Sequence, residues 1–411
     1  MTKTKFKAAG AILALVVAFG GGIYFGISEK LHNAANAQTT SIVSTGTQPT
    51  DVDMTPFWTA YGILNQNFVV THASSTFPDK QKQMYGAIAG LAASFGDPYT
   101  VFFPPSDAKV FTEDISGSFG GVGMQVDNDT QGELIVVAPL KDSPSMKAGV
   151  QAGDIILAIG TTSSQMMTSE EAVKLIRGPI GTTVTFTIGR KGETKPLTIS
   201  VVRDTIKIPV IDTAKLDNGV FVISLYSFSE NSADLFRTAL RSFVQSGDHK
   251  LILDLRGNPG GYLDAAVNMA SYFLPVGASV VTEDFKGKQA NVTDRSFGYN
   301  IFANDPQFKM AILIDQGSAS ASEILSGALQ QNNVAKLVGT RSFGKGSVQQ
   351  LMDIGGGAEL KVTIARWLTP NGSSISDGGL HPDILSTTTP ELIKAKQDVQ
   401  KDAAIKYLLG Q

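Results

Sequence analysis

Cysteine is absent from the 411-residue chain, which excludes disulfides, thiol nucleophiles and thiolate metal sites. Histidine occurs only four times, without the His-Glu-x-x-His spacing of a zinc-binding helix. An excess of charge of one sign is also missing. The 34 basic and 37 acidic residues leave a net charge of −3, without the clustered lysines and arginines that bind phosphates. We therefore expect no metal, no cofactor and no nucleic-acid partner.

The chain is long and apolar enough to form several folded modules. Hydrophobic residues make up 42% of it and charged residues 17%, which excludes global disorder. A single hydrophobic core seldom grows beyond ~250–300 residues. The composition therefore predicts two or three domains.

The amino terminus has the pattern of a membrane anchor. Three lysines among the first seven residues precede an apolar run, 8–27, of the ~20 residues needed to cross a bilayer as a helix. Positive charge on that side predicts a single-pass protein of the cell membrane, with the rest extracytoplasmic, in the extracellular space or periplasm. Residues 1–37 form this anchor with its flanks, although a signal-peptidase site after Ala37 would also fit. Residues 38–50 read as a flexible linker.

Residues 51–112 are predicted to form an N-terminal helical region. Apolar residues recur at helical spacing in two stretches that are separated near Pro78. The Gly-Asp-Pro sequence at 96–98 ends the second helix, and a connecting segment follows.

Residues 113–204 change to short β-type runs separated by glycine and proline. A single short helix interrupts them, and it begins at Thr168 with a capping box and ends before Gly178-Pro179. The motif Gly121-Val122-Gly123-Met124-Gln125-Val126, followed by Ser143-Pro144 and Gly153-Asp154, resembles a PDZ domain of the bacterial protease type. A tight turn is the alternative explanation of the glycine cluster.

The PDZ resemblance implies a peptide-binding groove. Glycines let successive N–H groups converge on a carboxylate, and a strand edge accepts an added peptide strand. The residues implied in binding are Gly121, Val122, Gly123, Met124, Val173, Ile176 and Arg177. By analogy with regulated bacterial proteases that contain such a PDZ domain, Arg177 is a candidate to couple peptide binding to catalysis.

Residues 205–389 alternate between predicted strands and helices, which indicates an α/β layer structure. Residues 390–411 are predicted to contain a C-terminal helix, because 391–409 have helical character. The fold class is therefore multidomain α+β: a transmembrane helix, a helical segment, a sandwich-like PDZ domain and an α/β domain.

Three motifs occur in order within this α/β region. They are Asp254-Leu255-Arg256-Gly257-Asn258-Pro259-Gly260-Gly261, Gly317-Ser318-Ala319-Ser320-Ala321-Ser322-Glu323 and Phe343-Gly344-Lys345-Gly346-Ser347-Val348-Gln349. Together they resemble the carboxyl-terminal processing peptidases, and the resemblance runs from about Pro56 to Ile384. It implies a crotonase-like serine peptidase domain that uses a Ser-Lys pair.

The resemblance implies Ser320 as the nucleophile and Lys345 as the base. The residue pattern alone leaves Ser318, Ser320 and Ser322 open, because any of them could be an N-cap. Serine needs a base to take its proton, and lysine can act only when neutral. The active enzyme must therefore lower the lysine pKa from ~10.4, so we expect Lys345 to be buried.

Further roles follow from the same resemblance. Gln349 would orient the Lys345 amine, and the strand from Ser347 must bend near Gly346 to allow it. The N–H of Ala321 and that of Gly260 or Gly261 would hold the oxyanion. Asp254 and Arg256 are interpreted as a structural ion pair near the nucleophile.

Rival mechanisms have weaker support. His381 is the only credible histidine for a Ser-His-Asp triad. Residues 339–345 nearly match a phosphate-binding loop, but Gly346 replaces its Ser/Thr and a strand is predicted to follow. A non-catalytic PDZ scaffold is the hypothesis from another class, although a scaffold needs neither Ser320 nor Lys345.

The expected partners are exported proteins or peptides with accessible, flexible carboxyl termini, and the membrane through the N-terminal helix. The amphipathic segments 51–95 and 391–409 could also form a homodimer interface or pack on their own chain.

Overall fold

The structure is a computed structural model that describes residues 23–24, 51–71, 77–129, 131–140, 142–207, 209–376, 378–389, 391–392, 395 and 397–411. The chain divides into two compact units, one of residues 25–102 and the other of residues 1–24 and 103–411.

The predicted membrane anchor lies outside the described residues, apart from strand β1 (Ile23–Tyr24). These two residues pair in parallel with Gln349 and Gln350, so their backbone groups bond to a sheet edge and not within a helix as predicted. In the described parts of the chain, none of the helices has both the length and the apolar character required to cross a bilayer.

The unit of residues 25–102 contains helices α1 (Thr55–Asn67) and α2 (Lys80–Ala93). These are the two helices predicted on either side of Pro78. Asp79 caps α2 by accepting the Lys82 N–H, and the amides of Asn65 and Gln83 bond to each other at 2.8 and 2.9 Å. Strand β2 (Val101–Phe103) follows.

The PDZ region is an antiparallel sheet of five main strands, with a sixth, two-residue strand paired to one of them, and two short helices. Its elements, with those that precede and close it, are α3 (Pro105–Ser116), β3 (Ser118–Gly121), β4 (Met124–Asn128), β5 (Leu134–Pro139), α4 (Pro144–Lys147), β6 (Ile155–Ile159), β7 (Thr162–Ser163), α5 (Ser169–Ile176), β8 (Thr183–Gly189), β9 (Leu197–Val202) and β10 (Asp204–Lys207). The strand order is β4-β5-β6-β8-β9, and β3 pairs separately with β10. The predicted capping box of α5 is present between Thr168 and Glu171.

The α/β region is built on a six-stranded sheet of order β11-β12-β13-β16-β17-β20, parallel except for β11. A second, antiparallel sheet contains β18-β19-β14-β15. The elements are β11 (Ile211–Lys215), β12 (Val220–Leu225), α6 (Ser232–Ser246), β13 (Lys250–Asp254), α7 (Leu263–Ser271), β14 (Ser279–Asp284), β15 (Val292–Arg295), β16 (Lys309–Ile314), α8 (Ala321–Gln331), β17 (Ala335–Gly339), β18 (Ser347–Asp353), β19 (Glu359–Leu368), β20 (Ile384–Leu385) and α9 (Val399–Leu409).

Two apolar cores cover the two faces of the parallel sheet. On one face, α6, α7 and α8 pack with the second sheet in a large buried cluster. On the other face, Ala404 and Leu408 of α9 pack on buried side chains of the strands. This layered arrangement matches the predicted α/β region.

Two predictions were wrong in detail. The connecting segment predicted after residue 98 contains helix α3, which buries Phe111 and Ile115. The predicted helix 391–409 is not continuous: residues 391 and 392 are helical, and a separate helix starts at Val399, where Asp398 caps it by accepting the Lys401 N–H. Its carboxylate also contacts Arg256.

Candidate active site

The three sequence motifs meet at one edge of the parallel sheet. The first begins at Asp254, the last residue of β13, the second follows β16, and the third follows β17. These three strands are parallel neighbours, so their carboxyl ends lie together. The three loops therefore form one site from residues up to 91 positions apart, since 345 − 254 = 91.

Ser320 lies directly before helix α8 and has no exposed surface. Its φ of 54° and ψ of −115° are unusual for a residue with a side chain, and such strain persists only where the surroundings impose it. The N–H groups at a helix start carry partial positive charge, which favours an anion beside this serine.

Gly260 approaches the nucleophile loop so closely that only glycine fits. Its φ is +100°, and a Cβ here would lie 2.7 Å from the Ala319 oxygen and 2.9 Å from the Ser320 Cβ. The same position is 3.0 Å from the Ala321 nitrogen. The predicted oxyanion residues are therefore brought together at Ser320.

The structure distinguishes the two candidate glycines. The Gly260 N–H already donates to Asn258 Oδ1 at 2.9 Å. In the described part of the chain, neither the Gly261 N–H nor the Ala321 N–H donates a hydrogen bond to another residue. Both residues are buried, and buried backbone donors normally have a partner. This pair of open donors favours Gly261 over Gly260.

Asn258 holds the glycine loop in place and was missed as a site residue. Its side chain has no exposed surface, and its amide donates to the Leu225 oxygen at 2.7 Å. Its own carbonyl accepts the Ala319 N–H and the Ser322 hydroxyl. Asn258 thus links β12, the glycine loop and the nucleophile loop.

Glu323 is a second missed residue, and it joins the predicted nucleophile to the predicted base. Its carboxylate accepts the Ser320 N–H at 2.9 Å and the Lys345 N–H at 3.0 Å. It also accepts the Gly344 N–H and the Ser342 hydroxyl, at 2.7 and 2.6 Å. Burial raises the pKa of Glu323, although these four donors oppose the rise. The Ser-x-x-Glu spacing of a capping box was the available sequence signal.

Lys345 is fully buried, as predicted for a lysine base. The glycines on either side allow the loop to pack tightly, because a Cβ on Gly344 would lie 2.9 Å from the Gly379 nitrogen. A Cβ on Gly346 would lie within 2.3 Å of the Ser376 nitrogen. Burial removes the water that stabilises an ammonium group, which favours a neutral amine.

Gln349 lies in β18 and is also fully buried. Its amide nitrogen donates to Ser347 Oγ at 2.7 Å and to Thr363 Oγ1 at 3.3 Å. Its Oε1 accepts no hydrogen bond from the described residues, so an acceptor remains for an amine. The pairing of β18 with β19 shifts register between Val348 and Gln349, which marks an irregularity of the strand at Gln349.

Asp254 and Arg256 form the predicted ion pair, with two hydrogen bonds of 2.9 and 2.6 Å. The sequence did not indicate a third partner. Asp398 accepts two further hydrogen bonds from the same guanidinium, at 2.7 and 2.9 Å. These contacts raise the pKa of Arg256, against the opposing effect of burial, so the guanidinium stays charged.

The predicted PDZ residues lie around the free edge of β4. This strand ends the order of its sheet, so among the described residues its outer edge is open to an added strand. The preceding strand, β3, contacts the segment after α5, where the Gly178 N–H donates to the Gly120 oxygen. Ile176 belongs to the buried core of this domain, and Met124 packs against that core. Val173 on α5 is partly buried.

Arg177 contacts helix α3. Its guanidinium lies 2.6 Å from Asp114 and 3.9 Å from the centre of the Phe119 ring. Burial raises the pKa of Asp114, and the charge of Arg177 opposes this rise. The side-chain contacts of Arg177 with Asp114 and Phe119 are therefore with the segment that leads into the glycine loop.

The alternatives to a Ser-Lys site lack structural support. His381 is exposed, and its carbonyl accepts from Gln330. His249 lies 2.7 Å from Asp305, next to the start of β13. Lys345 leads into strand β18 and not into a helix, unlike the lysine of a phosphate-binding loop. Within the described residues, no group of three or more metal-ligating side chains occurs.

Comparison with known proteins identifies both domains. The model of peptidase family S41 matches residues 219–386, and a PDZ-domain model matches residues 135–190. The structure of the photosystem II D1 C-terminal processing protease has a TM-score of 0.51 at 26% identity, covering 80% of this chain and 92% of that one.

Two curated relatives from Bacillus subtilis (strain 168) extend the similarity. The chain is 35% identical to the carboxy-terminal processing protease CtpA over 74% of its length but spans only 64% of that relative. It is 34% identical to the carboxy-terminal processing protease CtpB, over 92% of this chain and 76% of the relative. With an S41 peptidase domain, a PDZ domain and this extended similarity, the chain belongs to the carboxy-terminal processing protease family of serine peptidases.

Proposed function

We propose that the protein is a serine endopeptidase that cleaves exported proteins near flexible carboxyl termini by Ser-Lys acyl transfer. One observation carries the proposal. The buried Glu323 carboxylate binds the backbone N–H groups of Ser320 and Lys345, beside the two open donors of Gly261 and Ala321. Nucleophile, base and oxyanion site are thereby collected at one sheet edge.

In this mechanism Ser320 Oγ attacks the peptide carbonyl while the neutral Lys345 amine takes the hydroxyl proton. The N–H groups of Gly261 and Ala321 stabilise the oxyanion, and each such donor is worth ~10²–10³ in kcat. Lys345 then returns the proton to the leaving amine. Water hydrolyses the acyl-enzyme by the same route, and Gln349 Oε1 accepts from the lysine amine to keep it oriented.

The PDZ domain would bind the carboxyl terminus of the substrate as an added strand on β4, with the carboxylate at the loop of Gly121, Val122 and Gly123. Because Ser320 has no exposed surface, a substrate can reach it only after a movement. Peptide binding at α5 is a suitable trigger, since Arg177 follows that helix and bonds to Asp114. Delivery and gating would then use the same contact.

We propose an extracytoplasmic location, because lysines followed by the apolar run 8–27 have the pattern of a segment that directs a chain across the membrane. Fractionation of cells, followed by protease treatment of intact cells or spheroplasts, tests this. Recovery of the intact chain from the cytosol would contradict it.

We also propose that the helical unit of residues 25–102 associates with a second copy. Leu64 is 62% exposed, Leu91 64% and Phe95 75%, and exposed apolar patches on a folded protein mark interaction sites. Only Ala92 is buried in α2. Leu64→Glu combined with Leu91→Glu should convert a dimer into a monomer in sedimentation velocity, and an unchanged sedimentation coefficient would contradict the proposal.

The catalytic proposal is tested with the fragment from residue 38 and a labelled unfolded protein as substrate. Ser320→Ala and Lys345→Ala should each abolish cleavage, and a fluorophosphonate should label the parent far faster than either variant, because labelling needs both the Ser320 hydroxyl and the base that activates it. Cleavage by both variants at the parental rate would refute the Ser-Lys mechanism and favour a scaffold with contaminating activity.

A further inference from the structure

The start of helix α9 contacts the segment that leads into the oxyanion loop. Asp398 accepts the Lys401 N–H at 3.0 Å and thereby caps the helix. Both of its oxygens also accept from Arg256, at 2.7 and 2.9 Å. These two residues are 142 positions apart in the chain. The Asp398 carboxylate therefore both caps helix α9 and binds the Arg256 guanidinium.

The Arg256 guanidinium has few other positions available to it. Asp254 and Asp398 bind it from two sides, and the buried Gln400 accepts from its Nη1 at 3.1 Å. Its side chain is only 21% exposed, so water screens these charges weakly. Paired charge-assisted bonds in such a setting impose direction as well as stability.

Helix α9 is itself a rigid support. Ala404 and Leu408 have no exposed surface and pack on the parallel sheet. The Gln400 amide donates to the Ser386 oxygen at 3.0 Å, next to the strand pairing of β20 with β17. A carboxylate at the start of this helix is therefore held at a defined place relative to the strand ends.

From Arg256 the chain runs directly into the loop that presents Gly261. The Gly257 N–H donates to Asp315 at 2.8 Å and the Gly260 N–H donates to Asn258, so hydrogen bonds hold the loop at two positions. Asp398, together with Gln400, connects this loop to helix α9.

We propose that Asp398 is a positioning residue for peptide hydrolysis: through Arg256 it holds the loop that supplies the Gly261 N–H to the oxyanion. The inference rests on the proposed function, because it assumes that Ser320 is acylated. The alternative is that Asp398 only anchors helix α9. These two roles predict different effects of substituting Asp398. Loss of a helix anchor lowers the stability of the fold, whereas loss of a positioning residue slows the chemical step.

Asp398→Asn separates the two roles, because asparagine caps a helix about as well as aspartate but lacks its charge. Asp398→Ser keeps a cap with no group that reaches Arg256. The matched control is Asp402→Asn, which removes the same charge from an exposed position in the first turn of α9. All are made in the full-length chain.

The measurements are kcat and KM for the unfolded protein substrate, the rate of fluorophosphonate labelling of Ser320, and the thermal midpoint. We expect kcat and the labelling rate of Asp398→Asn and Asp398→Ser to fall tenfold or more, with KM within twofold, because complete loss of an oxyanion donor costs ~10²–10³. Asp402→Asn should keep the parental values.

An unchanged kcat in both Asp398 variants overturns the inference. So does a loss of activity that matches the lost folded fraction, since Asp398 is then an anchor alone. If the parent is neither labelled at Ser320 nor active, the proposed function fails instead, and the two failures are distinguishable.

Discussion

Asn258→Ala should both destabilise the protein and slow its reaction. The substitution removes the amide that donates to the Leu225 oxygen and accepts from the Gly260 N–H. It leaves two buried backbone groups without partners, each costing ~1–3 kcal/mol. We therefore expect a loss of ~2–6 kcal/mol in the free energy of unfolding, a large part of the 5–15 kcal/mol typical of a domain.

The effect on catalysis has a separate cause. The released Gly260 N–H is free to reorient, so the following Gly261 donor is no longer held beside Ser320, and kcat should fall by ~10–100-fold. Urea unfolding gives the stability change, and kcat is measured at a temperature where the variant is folded. Asn218→Ala is the control, because Asn218 is exposed and bonds only to the Val220 N–H.

Asn258→Asp tests the same contacts through pH. The new oxygen would face the Leu225 carbonyl at about the present 2.7 Å, which is favourable only if the carboxyl is protonated. Activity and stability relative to the parent should therefore rise as the pH falls from 8 to 5.5. A stability loss of Asn258→Ala below ~1 kcal/mol, or a pH-independent ratio for Asn258→Asp, would refute this account of the loop.

Three further outcomes are expected. Glu323→Gln should lower kcat by at least tenfold with little change in KM, because an amide nitrogen would face backbone donors that now bind a carboxylate. Kinetics with the unfolded substrate test this prediction, and a parental kcat would contradict it. Gly260→Ala should leave little folded, active protein, because its Cβ would lie 2.7 Å from a backbone oxygen at a φ of +100°. The control Gly257→Ala, at a φ of +66°, meets no atom within 4 Å and should lower the free energy of unfolding by only ~1 kcal/mol. Circular dichroism on heating will measure both. Glu283→Gln should remove part of the alkaline loss of stability. Burial first, and then the neighbouring Asp294, raise the pKa of Glu283 to about 7 from 4.5, so its contribution is complete below pH ~4.5 and is lost as the pH rises through 7, by roughly 3 kcal/mol. Urea unfolding at pH 5 and 8 should show the variant more stable than the parent only at pH 8, and equal pH dependence of the two would contradict the assignment.

Local patterns predicted most of the elements. The capping box at Thr168 and Glu171 predicted α5, because a cap satisfies donors within one helical turn. The apolar repeats on either side of Pro78 likewise predicted α1 and α2. Helix α3 was missed although two prolines, at 104 and 105, stand at its start, where proline is favoured.

Contacts between distant segments could not be predicted in this way. Nothing around Asp398 in the sequence indicates Arg256, because their contact depends on where α9 packs across the sheet. Asn258 belonged to a quoted motif, yet its role became apparent only when its partners in β12 and the nucleophile loop were located.

The sequence by itself determined the family resemblance, the order of the three motifs and the residue types required for Ser-Lys chemistry, since these depend on local pattern alone. Tertiary structure decided that the motifs meet, because β13, β16 and β17 are parallel neighbours whose ends share one edge. It also decided which donors are open, favouring Gly261 over Gly260, because Asn258 takes the Gly260 N–H. That choice depends on angstrom-scale packing between segments far apart in the chain, which no local pattern encodes.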